Sequence, residues 1–255
     1  MNKNILQRQL YIFTKKYRER ISREYAKQHN YTVKAGPFIG LKLAKNEFWS
    51  CGDLGCKVAG HYEYQIQDLI VKLQIQNRKK YLINIGGADG FFSVGSVYNN
   101  LFDHCFVFEE SYVGQKAIKE CAKRNHMDKK ISVFGKVENK SFLSSLPKKI
   151  DLKDCFILCD IEGDEYSVFD KNNLFKVKDC NIIIEIHDQN SELTKLKKKF
   201  SNLVNSYFLI TIINSKIKDV SNDESLSFLN DIDRNLILSE GRSKLGEWWN
   251  FKPRN

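Results

Sequence analysis

From about residue 80 onward, short continuously apolar runs alternate with longer stretches whose apolar positions recur every three or four residues. "YLINI" precedes "FFSVGSVYNNLF", and "HCFVFEE" precedes "YVGQKAIKECAKRN". "ISVFG" leads into a looser segment, "CFILCDIEG" precedes "EYSVFDKNN", and "CNIIIEIHD" precedes "ELTKLKKKFSNLV". Strands that are apolar at nearly every position are buried on both faces, and amphipathic stretches between them supply the covering helices. The pattern predicts an α/β fold with a doubly wound, Rossmann-like, mostly parallel sheet. Towards the end, "YFLITIIN" and "RNLILSE" read as a terminal antiparallel pair.

Residues 3–28 show a different period. Leu6, Leu10, Phe13, Tyr17, Ile21 and Tyr25 form a helical stripe, and Lys and Arg crowd the remaining faces. A basic amphipathic helix of this kind can lie on a membrane surface but more often packs on its own core or on a twin subunit, so a homodimer is one possible assembly. Next comes the glycine-rich segment "KAGPFIGLKLAKNEFWSCGDLGCKVAGHYEYQIQDLI", which predicts a short hairpin and then a helix from near Tyr62. The chain accordingly divides into an N-terminal helix with an irregular segment (1–60) and a Rossmann-like domain with a C-terminal substrate-side tail (61–255).

Composition narrows the picture. The 255 residues are 42% hydrophobic and 28% charged, which suits a folded chain with a sizeable core. No apolar run approaches the about 18 residues of a membrane span, and "MNKNILQRQLYIFTKKYRER" lacks the apolar core of a secretory signal. The seven cysteines include no C-x-x-C pair, so they read as reduced thiols in a cytoplasmic protein, with no zinc site among them. A net charge of +10 is spread along the chain rather than gathered into a patch, which makes nucleic acid an unfavoured partner.

In doubly wound folds, ligands sit beyond the C-terminal ends of the strands. Each polar residue closing an apolar run is therefore a candidate. The first run opens into "GGADGF", in which Gly86, Gly87 and Gly90 permit close backbone approach, and Asn84, Ala88, Asp89 and Phe91 flank the turn. A helix beginning after Gly90 offers free N–H groups. The second run ends in Glu109 and Glu110, where a carboxylate accepts hydrogen bonds from ribose hydroxyls. Strand, turn, helix, strand and acidic end in this order point to a nucleoside. The turn is neither G-x-G-x-x-G nor a P-loop, so pyrophosphate binding is disfavoured, and S-adenosylmethionine, which has no phosphate, fits better.

The later strands carry candidate chemistry. Asp160 and Glu162 alternate on one strand end, and Glu185 and His187 on the next. If the strands are neighbours, these groups converge. A hydroxyl acceptor needs help to lose its proton, and His187 has the intrinsic pKa for a general base. Alternatively, Asp160, Glu185 and His187 hold Mg²⁺ or Mn²⁺, which acidifies a hydroxyl directly. Asp188 and Arg242 are substrate-side candidates, Arg242 as a clamp on a substrate phosphate.

The motifs "INIGGADGFFSVG", "FEE", "CDIEGDE" and "IIIEIHD" together resemble FkbM-type class I methyltransferases. "GPFIGLKL", "GHYEYQI" and "EGRSKLGEWW" are similar to a bacterial subgroup that modifies glycans and capsules, such as capsular heptose O-methyltransferases; the resemblance spans roughly residues 36–250. It implies a sugar or sugar-nucleotide acceptor, places Glu63 and residues 84–91 against the cofactor, and sets Asp160 beside the transferred methyl group. It also brings His61 near the substrate. The chain departs from the pattern at Asn84, where the family usually has Asp, and at His61, where the subgroup usually has Thr.

Two other functions are compatible with these features: an RNA 2′-hydroxyl methyltransferase, and a catalytically silent cofactor-binding scaffold. Pro37, Pro147 and Pro253, the only prolines, fit neither the Pro-Pro-aromatic motif of amino-methylating enzymes nor the Pro-Cys motif of cytosine-C5 enzymes.

Overall fold

The alternation of apolar runs and amphipathic stretches produces a single seven-stranded sheet. The computed structural model describes residues 3–46, 51–137, 142–215, 223–242 and 245–254. The strands are β1 (Tyr81–Ile85), β2 (His104–Phe108), β3 (Ile131–Phe134), β4 (Cys155–Cys159), β5 (Asn181–Glu185), β6 (Phe208–Asn214) and β7 (Glu247–Pro253). Their spatial order is β3-β2-β1-β4-β5-β7-β6. The first five are parallel, and β7 runs antiparallel to both its neighbours. The expected doubly wound α/β fold is the one observed.

The helices are α1 (Lys3–Gln28), α2 (Leu54–Ala59), α3 (Tyr64–Gln76), α4 (Phe91–Tyr98), α5 (Tyr112–Arg124), α6 (Glu165–Val168), α7 (Lys171–Lys176), α8 (Ser191–Val204) and α9 (Asp231–Leu238). Each sheet face has its own core. Leu82, Val107, Leu158 and Trp248 pack towards α1–α5, whereas Ile83, Phe108, Ile157 and Trp249 face the other side. Burial on both faces explains why the parallel strands read as continuous apolar runs.

Two predictions fail for local reasons. "RNLILSE" is helical, not a strand: Asn230 caps α9 by accepting the N–H of Asp233, and Asp231 and Asp233 complement the helix dipole. Three successive apolar residues cannot by themselves distinguish helix from strand. The partner of β6 is "EWWNFKP", whose adjacent tryptophans point into opposite cores. The irregular segment also contains α2, which was not foreseen, and its hairpin is reduced to the single bridge Thr32–Lys42. The helix expected near Tyr62 begins at Tyr64.

The helical stripe of α1 divides in two. Ile21 and Tyr25 are buried, but Leu6, Leu10 and Phe13 are exposed. No described helix is long and apolar enough to cross a membrane.

The chain runs outward from β1 to β3 and returns to β4 on the other side of β1, which opens a crevice at their C-terminal ends. Gly86 sits at its base with φ +87°, and a Cβ there would lie 1.7 Å from the carbonyl oxygen of Asp160. Only glycine allows the turn after β1 to touch the end of β4 so closely.

Candidate active site

Three adjoining cavities line this crevice. The first, of about 380 Å³, is bounded by Gly86, Phe108, Glu109, Asp160, Ile161 and Val168. The carboxylate of Glu109 is fixed by two backbone donors, Ala88 N–H at 2.8 Å and Ser111 N–H at 2.8 Å. Burial raises its pKa, partly offset by those two hydrogen bonds. Each oxygen keeps lone-pair capacity for hydroxyl donors. Glu110 also lines this cavity but is exposed and pairs with Lys136 at 2.9 Å.

The second cavity is small, about 30 Å³, and lies over the turn. Asn84, residues 86–89 and Phe91 line it, together with Lys57, Tyr62 and Trp248. Gly90, in the left-handed region at φ +90°, caps α4. Asp89, in the same lining, is ion-paired with the buried Lys57 at 2.6 Å.

The third cavity, of about 420 Å³, lies beyond β5 and is lined by Glu162, Glu185, His187, Asp188, Arg242 and Glu247 among others. Asp160 joins the first two cavities, and Glu162 joins the first and third. β4 and β5 are neighbours, so the expected convergence occurs. Single ligand atoms of Asp160, Glu185 and His187 lie within 4.8 Å of one another. The Nε2 atom of His187 is 3.4 Å from Glu162 and 3.7 Å from Asp160.

His187 is locked from behind. Its Nδ1 faces Oε1 of Glu165 at 3.3 Å, its backbone N–H donates to the same oxygen at 2.9 Å, and Tyr166 donates its hydroxyl to the His187 carbonyl at 2.6 Å. Burial lowers the His187 pKa, but the hydrogen bond and charge of Glu165, then Asp160 and Glu162, more than offset this and leave it raised. Burial also pushes the Asp160 carboxyl up to about 6, against the pull of His187. Burial first, then the Asp160 charge, push Glu185 upward as well. The Asp160–Glu185 pair therefore retains a proton to higher pH than ordinary carboxylates do.

Other expected residues are held by ion pairs, some of them at the edge of this cluster. The Arg242 guanidinium is committed to Glu63, Glu185 and Glu240, so it ties elements together and is not a free phosphate clamp. Glu63 is 3% exposed, in the left-handed region at φ +45°, and faces Arg242. His61 pairs with Asp223 at 2.6 Å and lines none of the three cavities. Asp188 stands in the third cavity's wall, held by Lys197 at 3.0 Å. Residues 243 and 244 of the "EGRSKLGEWW" motif lie outside the described residues.

Lys57, Glu165 and Trp248 were not singled out for the site. A lysine inside the otherwise apolar run "LGCKVAG" is the one signal that marked Lys57 in advance. Glu165 is fully buried and orients the imidazole.

Strand order, glycine-rich turn and acidic β2 end together define a Rossmann-like fold of the methyltransferase type. Solved structures with this fold include the O-methyltransferase from Bacillus cereus in complex with SAH (TM-score 0.50, 11% identity, covering 75% of this chain and 81% of that one). The METTL16 methyltransferase domain gives TM-score 0.51 at 11% identity, over 76% and 67% of the two chains. Cofactor-bound Rv0187 from MTB gives 0.51 at 9%, over 76% and 82%. No protein-family model and no curated protein matches the sequence.

Proposed function

We propose that this chain is an S-adenosylmethionine-dependent O-methyltransferase of the FkbM type, acting on a hydroxyl of a bacterial sugar such as a heptose of capsule or lipopolysaccharide. The observation that carries the reading is His187, oriented by Glu165 in the wall of the polar third cavity, which adjoins the Glu109 cavity through Glu162. Glu109 suits ribose hydroxyls, so the adenosyl group is assigned to the first cavity. The acceptor is assigned to the third. The sugar assignment is supported by the sequence motifs and by a lining of carboxylates that accept O–H donors. The exposed Glu162 carboxylate in this lining also repels a phosphodiester backbone, which disfavours RNA.

The bound cofactor supplies an activated methyl group, and its transfer to a hydroxyl oxygen releases one proton. His187 takes that proton on Nε2, with Nδ1–H donating to Glu165. The exposed Glu162 carboxylate, 3.4 Å from Nε2, passes it to water. Asp160, joining the first two cavities, borders the place of transfer.

A divalent-cation version is favoured by the Asp160–Glu185–His187 cluster, a one-imidazole, two-carboxylate donor set that fits Mg²⁺ or Mn²⁺. In that version the three residues hold the ion, which acidifies the hydroxyl in place of the imidazole.

The reading extends to a homodimer through α1. Its exposed first half is basic, with Arg8, Lys15 and Lys16 beside Leu10 and Phe13. A cavity of about 900 Å³ between α1 and α9 is lined by Tyr17, Asp231, Ile232, Asp233 and Leu236 among others. A basic apolar helix from a second copy complements this acidic apolar groove.

The deciding experiment incubates the protein with S-adenosylmethionine and a panel of free and nucleotide-linked sugars, read by mass. A gain of one methyl group on a sugar is expected. Methylation of RNA alone, or no cofactor binding by calorimetry, overturns the reading.

A further inference from the structure

Arg242 stands in the segment between α9 and β7, with its side chain 25% exposed in the wall of the third cavity. Each of its three guanidinium nitrogens faces a different carboxylate. Nε lies 2.8 Å from Glu240, Nη1 meets Glu185, and Nη2 meets Glu63. The side chains of Glu63, Glu185 and Glu240 are 1%, 5% and 11% exposed, so three carboxylates are buried round one cation. A planar fork with donors on three nitrogens suits this arrangement, whereas a lysine ammonium is a single point charge.

Two backbone features are fitted to the contact. Glu63 holds φ +45°, in the left-handed region that a residue with a side chain seldom adopts, and its N–H donates to Glu240 at 3.0 Å. Gly246 lies just before β7, where a Cβ would stand 2.8 Å from Oε1 of Glu185 and 3.0 Å from Nη1 of Arg242. The ion pair fills the room that a side chain there would need. Backbone strain of this kind persists only where the surroundings enforce it, and here they converge on Arg242.

Glu185 is the shared member of two groups. With Asp160 and His187 it forms the set that fits a divalent ion, and it is also a partner of Arg242. It further hydrogen-bonds Asp160. A divalent ion on Glu185 would stand beside a guanidinium that never loses its charge, in a buried place where water screens the repulsion poorly.

We propose that Arg242 is the resident cation of this cluster: it holds Glu185, and through Glu185 the Asp160 carboxyl, and keeps a divalent ion from binding there tightly. The site then carries its positive charge on the protein itself, and Nε2 of His187 is left as the proton acceptor. Arg242 is a positioning residue, since it acts through Glu185. The proposal rests on the reading of Asp160, Glu185 and His187 as a cation-binding set and is independent of the acceptor's identity.

The test is calorimetric titration of chelator-dialysed protein with Mn²⁺, with no methyl donor or acceptor present. Wild-type protein is expected to bind the ion weakly. Arg242→Gln, which removes the competing charge and leaves the three carboxylates, is expected to bind it at least about tenfold more tightly. Arg242→Lys, which keeps the charge, is expected to stay within a few fold of wild type. Gly246→Ala keeps every charge but displaces Glu185 or Arg242 from their contact. It is expected to tighten Mn²⁺ several fold, and it decides the matter if Arg242→Gln fails to fold. A merely structural role for Arg242 gives no gain in affinity in any variant. Unchanged or weakened affinity in the folded variants overturns the proposal and leaves the cation-binding reading standing. Absence of Mn²⁺ binding from wild type and every variant overturns that reading, and the proposal with it.

Discussion

Oε1 of Glu165, a carboxylate with no exposed surface, faces both the backbone N–H of His187 at 2.9 Å and its Nδ1 at 3.3 Å. One oxygen thus fixes where the histidine's backbone lies and which way its ring turns. The other oxygen accepts Gly163 N–H at 2.8 Å, anchoring the loop that follows β4. Nε2 is thereby left as the ring atom facing Asp160, Glu162 and the cavities.

Glu165→Gln is expected to lower kcat by about 10- to 100-fold, the usual cost of losing a carboxylate that orients a functional histidine. The His187 pKa is raised, so a base at Nε2 becomes available only as pH climbs above its ordinary 6.5. The amide removes the charge that raises it. The ascending limb of kcat/KM against pH should therefore move to lower pH while its plateau falls. A plateau loss without that shift would assign Glu165 a purely structural role.

Asp160→Asn is expected to abolish turnover yet raise stability. The Asp160 carboxyl is pushed from 3.8 up to about 6, so the folded state holds its proton more tightly than the unfolded state does. Ionisation then costs stability: the cost is absent below about pH 4, grows through the window to about 6, and is complete above it. The variant should melt higher than wild type at pH 8, by about 1 to 3 kcal/mol, with little difference at pH 4. Equal shifts at both pH values would remove the charge from the explanation.

The strands, their parallel pairing and the β1 turn were legible because burial on both faces leaves no room for polar positions. Asp160, Glu162, Glu185 and His187 were legible because each closes an apolar run, and the neighbouring positions of β4 and β5 bring them together. What escaped depends on contacts distant in sequence. Arg242 looked like a free cation because nothing local shows that Glu63, Glu185 and Glu240 converge on it. Lys57 and Asp89 lie far apart along the chain, and Trp248 reaches the turn only because β7 inserts between β5 and β6. The "RNLILSE" segment misled because its cap lies just upstream, at Asn230.

Dialysis against a chelator separates the two routes to the proton. With His187 as the unaided base, turnover is expected to survive chelation and to depend on His187 alone for its ascending pH limb. Loss of turnover restored by Mn²⁺ would transfer the role to an ion held by Asp160, Glu185 and His187. Glu185→Gln should then abolish the restoration. A rise in melting temperature with added Mn²⁺ gives a readout that does not depend on activity.

The first half of α1 should decide the assembly. Leu10 and Phe13 are 55% and 68% exposed on a helix whose inner half is buried, and Ile232 on α9 is 70% exposed beside the acidic groove. Reciprocal docking of α1 from two copies makes a twofold contact in which each groove receives its partner's basic apolar face. Light scattering is expected to give the mass of two chains, falling to one in a Leu10→Asp, Phe13→Asp double variant. Salt should weaken the pair, because Arg8, Lys15 and Lys16 face Asp231 and Asp233 across a surface contact. Both substitutions fall on exposed side chains, so the melting temperature of the dissociated chain should stay close to that of wild type at low concentration. A wild-type protein that scatters as one chain, yet sediments with anionic lipid vesicles through the same residues, would reassign this face to a membrane surface.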